Sequence, residues 1–238
     1  MNQFYASPDQ INGNRIELTG QEASHVSKVL HKGTGEKIVV TDGIGSRYTG
    51  IIKKSDKRSV TIETEDKETF DRPNPEIALA LGLIKKRDRL EFAVEKAVEL
   101  GVSEILLFRG DHSEKFNVRS DRVEATVQSA MKQSLRVFLP AIMIVNSLPD
   151  LLSGEDHSTQ IIHADQYGSD DSPVISKEMQ RLLLVVGPEG GLSENEKAKL
   201  ADRDAYRLKL GEYRLRAETA AMVMASRFGH QSEFRNEI

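Results

Sequence analysis

Up to residue 72 the apolar positions come in short, alternating runs separated by turn residues. Arg15–Leu18, Lys37–Thr41, Tyr48–Ile52 and Ser59–Glu63 each read as a strand, and pairs such as Asp42-Gly43 mark turns between them. The stretch from Gln21 to Leu30 has helical spacing instead. So many short strands close most readily as a small barrel, because closure removes exposed edges.

From Ile77 onward the pattern changes. Ile77–Ile84 is a continuous apolar run of strand length, after which Asp88 and Glu91 cap a helix. That helix puts Leu90, Val94, Ala97 and Val98 on one face and stops at Gly101. Glu104–Phe108, Ala141–Val145, Gln160–Ala164, Leu182–Val186 and Ala205–Leu210 read as further strands. Asp121–Arg136 reads as a helix with Val123, Val127, Ala130 and Met131 on one side, and helices follow the last two strands. Strand and helix alternating, with strands apolar on both faces, predict an α/β fold whose parallel sheet is covered on both sides. The change falls at Asp71-Arg72-Pro73-Asn74-Pro75, where two prolines resist both helix and ladder pairing, so the expected domains are 1–72 and 73–238.

Composition narrows the chemistry. With 238 residues, 38% of them hydrophobic, there is material for two cores. The absence of cysteine excludes disulfides, zinc ribbons, iron–sulfur clusters and thiol nucleophiles, and no metal is expected. The start, MNQFYASPDQ, lacks a basic then apolar leader and no apolar run is of bilayer length, so a cytoplasmic, membrane-free protein is expected. A net charge of −4 does not by itself suggest a nucleic-acid partner. Two local clusters, Lys53-Lys54 with Lys57-Arg58 and Lys85-Lys86-Arg87 with Arg89, suit either a phosphate backbone or plain solvated surface.

In a parallel sheet the ligand crevice lies beyond the carboxyl ends of the strands. There the stretch LVVGPEGGLSENE, residues 184–196, runs a strand into a glycine-rich turn and then a capping box, Ser193-x-x-Glu196. A phosphate cradle uses free backbone N–H groups and a lysine, whereas here Pro188 has no N–H and Glu189 is negative. The ligand is therefore not a polyphosphate, and Glu189 either favours a cationic ligand or pins the loop. The second informative segment is 208–221, where a strand meets Gly211 and two arginines precede a helix of small and apolar residues. Taken singly, Gly211 is a turn, Arg214 and Arg216 are surface cations, and Glu218 complements a helix dipole. His163, at a strand end beside this pocket, suits a packing or cofactor-wall role better than acid–base work.

In combination, GPEGG with its capping box and the later L-G-x-x-R-L-R-A-E-T-A resemble the signature of the SPOUT superfamily of methyltransferases. The closest resemblance is to the ribosomal RNA small subunit methyltransferase E family, which methylates N3 of a uridine in 16S ribosomal RNA. Glu95 to Val102 is similar to that family's K-A-T-E-L-G-V helix end, and Lys132-Gln133-Ser134-Leu135-Arg136 through Pro140 to its E-Q-S-x-R…P stretch. His25 to His31, followed by Gly35-Glu36 and Asp42-Gly43, resembles its H-x-x-x-V-L-R…G-D…D-G pattern. The chain departs from the family at Tyr213 and His31, where arginine is usual, and at Lys132, where glutamate is common.

The resemblance implies a PUA-like β-barrel for RNA binding over 1–72 and a SPOUT methyltransferase domain with a C-terminal trefoil knot over 73–238. It implies a homodimer that binds S-adenosylmethionine through His163, Gly187, Pro188, Glu189, Gly190, Gly191, Leu210, Gly211 and Leu215. RNA contacts then fall to Lys28, Lys53, Lys54, Arg136 and Arg214 on 16S ribosomal RNA of the small subunit, and catalysis to Arg216 with Glu218. Transfer of a methyl group to N3 needs positioning and a cation for the negative charge that develops on the uracil, a task that suits a fixed guanidinium. Two alternatives stay open: a SPOUT enzyme acting on transfer RNA or a ribose 2′-hydroxyl, and a non-catalytic RNA-binding assembly factor. The latter predicts loss of the glycines or of the Arg-x-Glu-Thr run, and both are intact.

Overall fold

The alternating strands that precede the proline break pair into one sheet. The structure is a computed structural model and describes residues 2–114, 117–175 and 178–229. Strands β1 (Gln3–Tyr5), β2 (Ile11–Asn12), β3 (Arg15–Thr19), β4 (Lys37–Thr41), β5 (Ser46–Ser55) and β6 (Ser59–Thr69) lie in the order β1-β4-β5-β6-β3-β2. All neighbours are antiparallel except the β1–β4 pair. The two-residue period buries one face: Ile16 and Leu18 of β3 point inward while Arg15, Glu17 and Thr19 stay exposed. Phe4, Ile38, Val40, Ile52, Val60 and Ile62 complete that core, each such side chain contributing about 1.5–3 kcal/mol. The sheet curls around this core, and among the described residues no ladder joins β1 to β2. Where a helix was expected over Gln21–Leu30, a short α-helix, α1 (Gly20–Ser24), passes into a π-helical turn over His25–Val29.

The chain divides into two units, Met1–Arg72 with Gln128–Leu139 and Pro73–Val127 with Pro140–Ile238. Segment 128–139 joins the first unit through backbone and side-chain bonds that no local pattern announces. Gly45 donates its N–H to Val137 O and Leu139 donates to Gly43 O. Gln3 Nε2 donates to Arg136 O at 2.7 Å, and Lys132 pairs with Glu22.

In the second unit, β7 (Glu76–Gly82), β8 (Glu104–Phe108), β9 (Ala141–Val145), β10 (Gln160–Ser169), β11 (Arg181–Val186) and β12 (Tyr206–Leu208) form a sheet ordered β12-β10-β11-β7-β8-β9. Every pairing in it is parallel, as the apolar strands required. The helices of this unit are α2 (Arg87–Glu99), α4 (Leu148–Gly154), α5 (Glu194–Ala201) and α6 (Ala217–Phe228), while α3 (Ser120–Gln133) starts in this unit and ends in the first. Helix α2 buries Leu90, Ala93, Val94, Ala97 and Val98 and packs against α6. Its N-cap is Lys86, with no side-chain cap bond, so Asp88 lies inside the first turn, where it complements the dipole rather than capping. At the strand starts, Arg181 donates to both oxygens of Glu155 at 2.7 Å and to Glu104 at 2.5 Å, which holds β11 to its surroundings and keeps the guanidinium charged.

Candidate active site

The carboxyl ends of β10, β11 and β12 are adjacent, so the chain leaving each of them converges on one place. Residues 164–167, 186–192, 210–211 and 213–217, with Arg89, Lys197 and Ala220, line a cavity of ≈ 630 Å³. That volume is in the range of small-molecule and cofactor sites.

The glycine loop is shaped by backbone. Gly191, at φ +75, adopts a left-handed conformation and donates its N–H to Pro188 O at 2.9 Å, closing the turn. Pro188 packs so tightly on the end of β7 that a Cβ on Gly82 would lie 2.5 Å from its ring. Glu189 accepts the backbone N–H of Lys85 at 3.1 Å. Behind the loop, His112 Nδ1 stands 3.2 Å from both Gly190 O and Gly191 O; with two carbonyls as partners, this nitrogen carries the proton. The capping box expected at Ser193 and Glu196 is present. Ser193 Oγ accepts Glu196 N–H at 3.1 Å, and the buried Glu196 carboxylate accepts Ser193 N–H at 2.7 Å. Glu196 also takes Asp111 N–H at 3.1 Å, which braces the loop from the β8 side.

The second segment supplies cations. Arg216 is the N-cap of α6: its backbone is extended, its carbonyl accepts Ala220 N–H at 2.8 Å, and its exposed side chain borders the cavity. Arg214 reaches back to Glu189 O at 3.5 Å. Leu210 and Leu215 are half-buried walls, and Gly211 has no heavy atom within 4 Å of where a Cβ would stand. Glu218 is buried, and its carboxylate forms an ion pair with Arg89 Nε at 3.5 Å.

Of the residues expected to bind cofactor, the structure gathers Gly187, Pro188, Glu189, Gly190, Gly191, Leu210, Gly211 and Leu215 around the cavity, together with Arg214 and Arg216. His163 differs. It lies inside the sheet, opposite Val185 and Arg207, only 2% exposed and outside the cavity lining, which begins at Ala164. Burial pushes its imidazole from 6.5 down to about 4, so it is neutral at physiological pH.

The cavity also holds residues that the motif reading passed over. Asp165 is one; burial opposes its charge, but Tyr167 N–H and the Arg207 guanidinium outweigh it and hold the carboxyl below its usual range. Arg89 and the exposed Tyr167 and Tyr213 are others. The basic cluster at 85–89 and the aromatic residue replacing an arginine at 213 were the available signals.

Of the residues expected to contact RNA, Lys28, Lys53, Lys54 and Arg136 belong to the first unit, whereas Arg214 lines the cavity of the second. Lys28, in the π-helical turn, is exposed, as are Lys53, paired with Glu63 at 2.6 Å, and Lys54, 3.7 Å from Asp56. Arg136 is only 5% exposed, which is too little for a direct phosphate contact without rearrangement. Among the described residues no helix is long and apolar enough to cross a membrane, and no group of three or more potential ligands could hold a metal ion.

A parallel α/β sheet whose strand ends enclose a nucleoside-sized, glycine-walled cavity, without a phosphate nest, belongs to the class of proteins that bind a nucleoside-type ligand at the sheet's carboxyl edge. The chain belongs to a particular family within it, since the profile of an RNA methyltransferase domain matches residues 72–229. The profile of an RNA methyltransferase PUA domain matches residues 18–65. Ribosomal RNA small subunit methyltransferase E of Bacillus subtilis is 28% identical to this chain over 234 residues, covering 92% of this chain and 91% of the relative. The protein of the same name from Aquifex aeolicus is 26% identical over 230 residues, covering 95% and 98%. Among solved structures, the small subunit methyltransferase E of Neisseria gonorrhoeae bound to S-adenosyl methionine superposes with a TM-score of 0.84 at 25% identity, over 95% of this chain and 96% of that one.

Proposed function

We propose that the protein transfers the methyl group of S-adenosylmethionine to N3 of a uridine in 16S ribosomal RNA of the small subunit, as a cytoplasmic homodimer without metal. The observation that carries this reading is the convergence of the glycine loop and the Arg214–Ala217 segment on one cavity. The names of the relatives and the cofactor in the Neisseria gonorrhoeae structure support it. In this reading residues 1–72 dock RNA and 73–238 carry out transfer, with the chain after β12 forming the trefoil knot of the SPOUT fold.

The cavity fits the cofactor. Leu192, Leu210 and Leu215 offer apolar walls for adenine, and the tight turn at Gly187 to Gly191 lets a ligand approach backbone rather than side chains. S-adenosylmethionine supplies a methyl group activated by its sulfonium. The chain's residues do the rest by position and charge. Arg216, whose backbone is set by its place at the start of α6, presents its guanidinium to the uracil oxygens as N3 loses its proton, and Arg214 serves the base or a phosphate. Glu218 enters through Arg89. Tyr167 and Tyr213, both exposed at the cavity, offer ring faces on which an unstacked base can lie.

Mass spectrometry of 16S ribosomal RNA nucleosides, from cells with and without the gene, tests this. N3-methyluridine is expected to disappear with the gene and to return when purified protein and S-adenosylmethionine are added to the unmethylated subunits. An unchanged nucleoside profile overturns the reading.

A further inference from the structure

In the second unit, among the described residues, two buried side-chain polar atoms have no hydrogen-bond partner: His163 Nδ1 and Glu218 Oε2. Such groups are uncommon in native proteins, and each calls for a reason. His163 is not among the residues that line the cavity. Glu218 is the one whose ionic partner, Arg89, forms part of the cavity wall.

We propose that Arg89, held at Nε by the buried Glu218 carboxylate, is a second oxyanion-binding group of the methyl-transfer cavity beside Arg216. The inference rests on the reading that this cavity takes S-adenosylmethionine and a pyrimidine.

The local geometry follows from two helix starts. Arg89 lies in the first turn of α2 and Glu218 in the first turn of α6, and these two helices pack together. Glu218 gains from the positive end of α6, yet its side chain keeps only 10% of its surface and Oε1 sits 3.5 Å from Arg89 Nε. A carboxylate so desolvated, with one oxygen unbonded, needs a fixed counter-charge, and Arg89 is that charge. Arg89 in turn is restrained, with 26% of its side chain exposed. The nearest approach of this ion pair is through Nε, at 3.5 Å. Among the described residues no protein acceptor meets Nη1 or Nη2, which leaves the end-on pair of donors for a ligand. That pair matches two oxygens of a carboxylate, or the delocalised oxygen of a pyrimidine anion. Unlike Arg216, which is exposed, Arg89 is immobilised before any ligand arrives, and a preorganised donor is the more effective kind.

Two ligand oxyanions share this chemistry: the amino-acid carboxylate of the cofactor, and the uracil oxygen that becomes anionic as N3 loses its proton. Calorimetry on the full-length protein separates them, using S-adenosylhomocysteine, which carries the carboxylate, and 5′-methylthioadenosine, which lacks it. If the carboxylate is the ligand, Arg89→Ala weakens S-adenosylhomocysteine on the order of tenfold and leaves methylthioadenosine unchanged. If the uracil oxygen is the ligand, both nucleosides bind as before. The pH profile of single-turnover transfer to small ribosomal subunits then moves to higher pH, because N3 deprotonation has lost its cation. Arg89→Lys, which keeps the charge without the fork, shows the same pattern in reduced form and replaces the alanine variant should that fail to fold. Glu218→Gln reproduces the direction with a smaller change, as expected of a positioning residue.

Unchanged affinities together with an unchanged profile overturn the proposal. So does equal weakening of both nucleosides in step with a lower melting temperature, which marks a structural pair. Failure of the wild-type protein to bind S-adenosylhomocysteine removes the cofactor reading itself, and this inference with it.

Discussion

Glu189 in the glycine loop and Lys85 in the chain after β7 are joined by a backbone hydrogen bond: the carboxylate accepts Lys85 N–H at 3.1 Å through one oxygen, with the other at 3.4 Å. The negative charge that sets this loop apart from a phosphate cradle thus ties it to the neighbouring strand end. Glu189→Ala is expected to weaken S-adenosylhomocysteine binding by about 1–2 kcal/mol, roughly tenfold, through loss of loop order. Glu189→Gln, which keeps an acceptor, should retain most of the affinity. Calorimetric titration decides it. Equal losses in both variants would mean that the charge acts on the ligand directly.

The two glycine sites should fail in different ways. A Cβ at Gly190 would lie 2.7 Å from His112 Cβ, so Gly190→Val displaces the brace behind the loop and should cost about 1–3 kcal/mol of stability as well as affinity. At Gly211 there is open space, so Gly211→Val should melt like the wild type yet lose cofactor affinity by filling the cavity. Parallel melting and binding measurements separate the two. A Gly211→Val protein that binds normally would remove this residue from the site.

Arg216→Ala should keep cofactor affinity and melting temperature while slowing transfer on the order of a hundredfold, about 3 kcal/mol. The side chain has no protein partner among the described residues, so its loss leaves nothing unpaired. Arg216→Lys should recover little, because the planar fork is lost. Single-turnover transfer at saturating S-adenosylmethionine is the measurement, and a near wild-type rate would shift the role to Arg214 or Arg89.

His163 makes stability depend on pH with a definite sign. Its folded-state value of about 4 lies below the ordinary 6.5, so between these limits the unfolded chain binds the extra proton. The stabilisation is complete above pH 6.5 and is lost as pH falls toward 4, to a maximum of about 3 kcal/mol. Denaturant unfolding from pH 7 to pH 5 should show this slope in the wild type and a flatter one in His163→Gln. Equal slopes would show that other groups set the acid limit.

Neutralising Lys28 should lower the salt dependence of RNA binding more than neutralising either Lys53 or Lys54. Neutralising a cation that meets phosphate reduces the slope by about one, but Glu63 and Asp56 already offset the other two lysines. Filter binding of small subunits to Lys28→Gln and Lys53→Gln across a salt series provides the comparison. A larger change at Lys53 would place the RNA elsewhere on the first unit.

Much of this protein was determined by local pattern. Strands at 37–41, 104–108 and 141–145 and the Ser193–Glu196 capping box follow from two-residue alternation, apolar runs and cap chemistry, which act over a few neighbours. The parallel sheet followed from apolarity on both strand faces, and the glycine and arginine segments were legible because their motifs are contiguous. The sequence was silent where partners are distant. Strands β1 and β2 are three and two residues long, too short for a period, and exist only through the strands that they pair with. Helix α4, capped at Ser147, is seven residues long, too short for its apolar spacing to have been read as a helix. Segment 128–139 joins the first unit by bonds to residues some 90 to 130 positions earlier, and no window of sequence contains both ends. The same holds at the site. Arg89 and Glu218 are far apart along the chain and become a pair only when α2 and α6 pack, while His163, at a strand end in the sequence, is withdrawn into the sheet by its register with β11 and β12. Short-range sterics and capping fixed the elements and the motifs. Burial, ion pairing and the walls of the cavity depend on which elements touch, and only the tertiary structure decided that.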